Sequence, residues 1–162
     1  MIHPSQLNTV LIADDDLDDC VLVKEAFGEC GDNINLTFVH DGIQLLQYLR
    51  HQGVYADSSA TQRPDLILLD LNMPLKDGHE ALAEVKADPY LRSIPVVVLT
   101  ISSREEDVLR TYELGGAGFI IKPTSLNDMV EVVKVLNEYW FEVVELSGIE
   151  HVNKIKGRNF VQ

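Results

Sequence analysis

Five apolar runs, each followed by a segment with helical spacing, constrain this chain more than any other feature. The runs cover residues 7–13, 34–40, 66–70, 95–100 and 117–122. After the first, Val21, Leu22, Ala26 and Phe27 share one helical face; after the second, residues 42–51 carry Leu45, Leu46 and Leu49. Asp77 is placed to cap a helix through Lys86. Ser102 and Ser103, three residues ahead of Glu105 and Glu106, form a capping-box pattern for the fourth helix. Ser125, with Asp128 three positions on, opens a last helix that is expected to reach about Leu146. Strand–helix units of this size imply a parallel sheet covered by helices on both faces. The run 66–70 is apolar on both faces, as a central parallel strand must be. Crossovers in such a sheet are right-handed, and ligands gather beyond the carboxyl ends of the strands. Chemistry is therefore to be sought in the last residue of each strand.

Those residues are Asp14 and Asp15 after the first strand, Asp70 after the third, Thr100 at the fourth and Lys122 at the fifth. Three carboxylates at one edge repel one another, and one is driven to bind a proton unless a cation intervenes. A hard divalent cation such as magnesium takes one or two carboxylates and keeps positions open for a phosphoryl oxygen. An ammonium and a hydroxyl then serve the remaining phosphoryl oxygens. Phosphoryl transfer needs this positioning and charge neutralisation more than covalent help. Asp70 is the candidate nucleophile, forming an acyl phosphate.

The segments VLIADDD, LILLDLNMPLKDG, VVVLT and FIIKP together resemble the receiver domains of two-component response regulators, over about residues 7–146. The resemblance implies a flavodoxin-like, doubly wound (βα)5 fold with strand order 2-1-3-4-5. It implies that Asp70 is phosphorylated by a histidine kinase. Asp15, Asp70 and the main-chain carbonyl of Asn72 are the implied direct magnesium ligands, with Asp14 acting largely through water; manganese or calcium can stand in for magnesium in crystals. Thr100 and Lys122 are implied to contact the phosphoryl group, and the Lys122–Pro123 bond to be cis, which proline tolerates. Phe119 occupies the place of a switch aromatic that moves as Thr100 swings toward the phosphoryl group. Ile101 is bulkier than the residue usual after that threonine and is expected to narrow access to the pocket. Asn72 and Ser102 hold positions that tune phosphoryl lifetime in the family. The long loop after the second helix and the segment NEYWFEVVEL are similar to small single-domain regulators that partner bacterial phytochromes in cyanobacteria. That likeness implies a light-sensing histidine kinase as phosphodonor, and a dimer.

Charge narrows the partners. With 26 acidic against 13 basic residues among 162, the net charge of −13 disfavours direct contact with nucleic acid or an anionic membrane. No apolar stretch approaches the ~20 residues that span a bilayer, and Met1 to Asn8 does not read as a signal peptide. Cys20 and Cys30 are poorly placed to pair along one helix, so a reducing cytoplasm is expected. The expected division is a receiver domain over 1–146 and a tail over 147–162, too short for an output domain and carrying Lys154, Lys156 and Arg158. The last helix has two apolar stripes. Met129, Val133, Leu136, Trp140 and Val144 suffice to cover the sheet; Val132, Val135, Tyr139, Val143 and Leu146 form a second face, expected to build a homodimer unless the tail covers it.

Rival readings fail on single residues. Asp14, Asp16, Asp18 and Glu25 match calcium-loop positions, but Asp19 stands where the loop needs glycine. A haloacid-dehalogenase-type phosphohydrolase needs a second aspartate where Asn72 stands. A pseudo-receiver that binds partners without chemistry would not need the full set of reactive groups. The five histidines, His3, His40, His51, His79 and His151, are too scattered for a metal site, and Gly115-Gly116 reads as a helix stop rather than a phosphate loop.

Overall fold

The structure, a computed structural model, describes residues 7–57, 61–144 and 146; the expected tail, His3 and His151 lie outside them. Five parallel strands, β1 (Asn8–Ala13), β2 (Ile34–Val39), β3 (Leu66–Leu69), β4 (Val96–Thr100) and β5 (Gly118–Ile121), form one sheet in the order β2-β1-β3-β4-β5. Helices α1 (Leu17–Glu29), α2 (Gly42–Arg50), α3 (Gly78–Ala87), α4 (Glu105–Glu113) and α5 (Leu126–Asn137) connect and follow them. The expected order is thus the observed one. β3 is buried along its whole length, and its Leu66, Ile67, Leu68 and Leu69 point alternately into two cores. One core joins Leu11, Ile67 and Leu69 to α2 and α3. The other joins Val10, Ile12, Leu66 and Leu68 to α1 and to Met129, Val133 and Leu136 of α5.

Local chemistry sets the helix starts. Asp16, Asp41, Asp77 and Ser125 each accept a backbone N–H from the first turn they precede, which satisfies donors the helix leaves free. α4 departs from expectation. Its cap position is Arg104, without a side-chain cap: the Ser102 hydroxyl donates to Asp107 Oδ2 at 2.5 Å, and its oxygen accepts the N–H of Arg104 itself at 3.4 Å rather than one inside the helix. α5 also departs. Its regular turns stop at Asn137 and a wider π-helical turn, Glu138–Val143, follows. The wider turn breaks the 3.6-residue spacing on which the second stripe was drawn. Val135, Tyr139 and Val143 stand in solvent, but Val132 is half-buried against the core and Leu146 is buried beyond the helical segment, so Leu146 leaves the expected outer face.

Two backbone details bring the third strand's end into place. A Cβ on Gly78 would lie 2.4 Å from the carbonyl oxygen of Asp70, so only glycine lets α3 start this close to the strand end. In the loop between them, Lys76 N–H bonds Pro74 O at 2.7 Å across Leu75, whose φ of 67° is left-handed. Such a tight turn is rare for a side chain that size.

Candidate functional site

The carboxyl ends of β1, β3, β4 and β5 bring Asp14, Asp70, Thr100 and Lys122 into direct contact. All four are buried, at 3%, 6%, 0% and 6% exposure, whereas charged residues seldom are unless paired. Lys122 Nζ lies 2.7 Å from Asp14 Oδ2, 2.8 Å from Asp19 Oδ2 and 3.3 Å from Asp70 Oδ2. The Thr100 hydroxyl donates to Asp70 Oδ1 at 2.8 Å, and the Asn72 N–H reaches the same oxygen at 3.2 Å. Asp14 Oδ1 accepts the N–H of Asp16 at 2.9 Å. Long-range pairing holds this geometry: β1 and β3 run in register at Ala13 and Leu69, and Lys122 N–H bonds Thr100 O just past the β4–β5 ladder.

Burial holds the Asp14 carboxyl up at about 6, against the pull of the Lys122 and Asp16 hydrogen bonds. Burial also works to lower Lys122, but its bonds to Asp14 and Asp19 more than reverse that and keep the ammonium charged. The Cys20 thiol, 3.5 Å from the Asp14 carbonyl oxygen, is pushed up to about 12 by burial first and by the Asp14 charge second. Such a thiol packs and does not react.

Asp14, Asp15 and Asp70 each offer one carboxylate oxygen, and the three lie within 4.8 Å of one another. An all-oxygen, anionic donor set of this span fits a hard divalent cation, and Asp15 and Asn72 are on its exposed side. The cluster is one that a cation stabilises and that a lone ammonium only partly neutralises.

Other expected residues distribute as follows. Ile101 is 67% exposed, so its bulk stands in solvent. Phe119 is half-buried on edge strand β5. Pro123 follows a trans bond: among the described residues no peptide bond is cis, which corrects the expectation at Lys122–Pro123. The tertiary amide before proline favours trans by about 0.5–1 kcal/mol, so trans is the form adopted unless the surroundings demand otherwise. Asp19 was not among the expected site residues. It ends no strand and lies instead in the first turn of the helix that leaves the site. The available signal was its place in the acidic run that continues from Asp14 and Asp15. His40, one of the scattered histidines, has its Nδ1 3.0 Å from the Asp14 carbonyl oxygen.

A doubly wound sheet with an aspartate, a threonine and a lysine converging on an acidic cluster defines a phosphoacceptor-type signalling domain. The response regulator receiver domain model matches residues 10–134, and the chain belongs to that family. It is 41% identical over 137 residues to response regulator Rcp1 of Synechocystis sp. (strain PCC 6803), covering 85% of this chain and 91% of that protein. Among solved structures, the phosphorylated cyanobacterial phytochrome response regulator RcpA superposes with a TM-score of 0.81 at 38% identity, covering 88% of this chain and all of that one. The Mn(2+)-bound form of Rcp1 superposes at 0.78 with 39% identity, covering 87% of this chain and 99% of that one. The chain is therefore a receiver-domain signalling protein that resembles phytochrome response regulators. Among the described residues no helix is long and apolar enough to cross a membrane.

Proposed function

We propose that Asp70 is the phosphoacceptor and that a histidine kinase of the phytochrome type is the donor, in the cytoplasm. The observation that carries the reading is the direct contact of Asp70 with both Thr100 and Lys122 beside two further carboxylates. One Asp70 oxygen forms the new O–P bond as the donor's P–N bond breaks, and the imidazole leaves with the electron pair and takes up a proton. Thr100 and Lys122, now bonded to the acceptor's two oxygens, are within reach of the transferred group and neutralise or bond its oxygens. Asp15, Asp70 and the Asn72 carbonyl, with Asp14 behind them, would hold a magnesium ion that supplies the remaining positive charge, and manganese or calcium could stand in for it in crystals. Asn72 and Ser102 bear on how long the acyl phosphate survives, and Phe119 is the aromatic that relays the change. The receiver occupies residues 1–146.

The phytochrome-type donor is supported by the likeness to Rcp1 and RcpA. A homodimer is supported by Val135, Tyr139 and Val143, which are 64%, 50% and 67% exposed along the last helical segment. Incubation with magnesium and a small phosphodonor or a purified kinase, followed by intact-mass measurement, tests the chemistry. The expected gain is one phosphoryl group, lost in Asp70→Asn and on chelation of magnesium. Retention of that gain in Asp70→Asn removes the assignment. Light scattering on a sizing column tests the dimer: a monomer at micromolar concentration, unchanged on phosphorylation, rules it out.

A further inference from the structure

The Lys122 ammonium has three protons and three carboxylate partners, so none of its hydrogen-bonding capacity is spare. Two of the partners, Asp14 and Asp70, are also the carboxylates that face a cation site together with Asp15. An ammonium and a divalent cation therefore draw on the same two carboxylates. The third partner, Asp19, does not belong to that cluster. It approaches from the first turn of α1, is 29% exposed at its side chain and bonds Nζ at 2.8 Å, closer than Asp70 does at 3.3 Å.

We propose that Asp19 is a positioning residue that draws the Lys122 ammonium aside, so that a divalent cation reaches Asp14 and Asp70. The proposal rests on the metal-assisted phosphoacceptor reading and adds to it the residue that resolves the competition. When the cation displaces Nζ from Asp14 and Asp70, the ammonium keeps Asp19 as its carboxylate partner. Its two freed protons then face the acceptor, where a phosphoryl oxygen would arrive. Without Asp19 the ammonium settles wholly on the oxygens the cation needs. A side chain acting through Lys122 in this way is distinct from a charge that merely adds to an acidic surface, and Asp18 provides the contrast. It carries the same charge one residue away, is exposed, and makes no bond to Lys122.

The test is magnesium binding to the whole chain by titration calorimetry, with no phosphodonor present. Partners that orient metal ligands typically change affinity by about 10–100-fold when removed, so Asp19→Asn is expected to weaken binding by roughly 10-fold. Asp19→Glu, which restores the carboxylate, is expected to recover most of it, and Asp18→Asn to leave it within about 2-fold, since an exposed charge is well screened. In a Lys122→Met background, the effect of Asp19→Asn is expected to shrink to that of Asp18→Asn, because the two residues act as one unit. An Asp19→Asn protein that binds magnesium like the wild type overturns the proposal. So does an equal loss in Asp18→Asn, or an undiminished loss without Lys122. A wild-type protein that binds no magnesium overturns the phosphoacceptor reading itself, and this inference with it, whereas wild-type binding with no Asp19 effect leaves that reading standing.

Discussion

The two ends of the sheet handle buried polarity in opposite ways. At the amino end, Thr9 N–H donates to Asp65 Oδ2 at 2.9 Å and Asp65 N–H returns a bond to Thr9 O at 2.8 Å. The Thr9 hydroxyl meets Gln62, and the Tyr48 hydroxyl donates to the Gln62 carbonyl at 2.9 Å. Lys86 Nζ closes that end by bonding the carbonyls of Arg92 and Ile94. Each group there has a matched partner and no cation is wanting. At the carboxyl end, Asp14, Asp19 and Asp70 share one ammonium while Asp15 stands beside them. The same sheet thus has one end closed by hydrogen bonds and one left with excess negative charge. An end already satisfied gains nothing from a ligand; an end that is short of positive charge is where a cation and a phosphoryl group alter the molecule most.

Variants at the two ends sharpen this contrast. The largest effect is expected from Lys122→Met in metal-free buffer, which leaves Asp14 and Asp70 buried without their ammonium. Removing one partner of a buried ion pair costs about 3–5 kcal/mol, and denaturant unfolding is expected to show a loss of that order. Added magnesium should recover much of it; no recovery would mean the carboxylates do not hold the ion. Next, magnesium at about 100 times its dissociation constant should raise wild-type stability by about 2.7 kcal/mol, through binding to the folded form alone. Asp65→Ala at the opposite end removes an acceptor from a buried N–H and is expected to cost about 1–3 kcal/mol, equally with and without magnesium. A magnesium-dependent cost there would erase the distinction between the ends.

The smallest effect concerns the thiols. Burial raises both Cys20, to about 12, and Cys30. The folded state favours the uncharged Cys20 thiol, so its contribution is complete below the unfolded value and is lost progressively as pH climbs from there through about 12. At pH 8 a thiol-specific reagent should label Cys30, which is half-buried, before Cys20, and leave Cys20 unmodified until the chain unfolds. Prompt labelling of Cys20 would mean that the β1–α1 junction opens readily.

The comparison also explains what could be read from sequence. Asp70, Thr100 and Lys122 were legible because each ends an apolar run, and a parallel sheet must present those ends together. Asp77 and Ser125 were legible as caps because a cap acts within three residues of itself. Ser102 misled for the same local reason: spacing alone offers it a helix N–H, and only the folded loop decides that its oxygen accepts from Arg104 while its hydroxyl donates to Asp107. Asp19 was hidden because its partner is 103 positions away. Leu146 differs from expectation because the helical segment ends at Val143, so helical spacing no longer groups it with Tyr139 and Val143, and a stripe of apolar residues does not announce where its helix stops.

The central claim is that the carboxylate at position 70 becomes an acyl phosphate. Borohydride reduces an acyl phosphate to an alcohol, so a phosphorylated aspartate becomes homoserine and can be located by peptide mass spectrometry. After treatment with phosphodonor and magnesium, the account predicts homoserine at position 70 alone, and none when magnesium is chelated. Homoserine at position 14, 15 or 19, or an unchanged aspartate at 70 in protein that has gained a phosphoryl group, would contradict it.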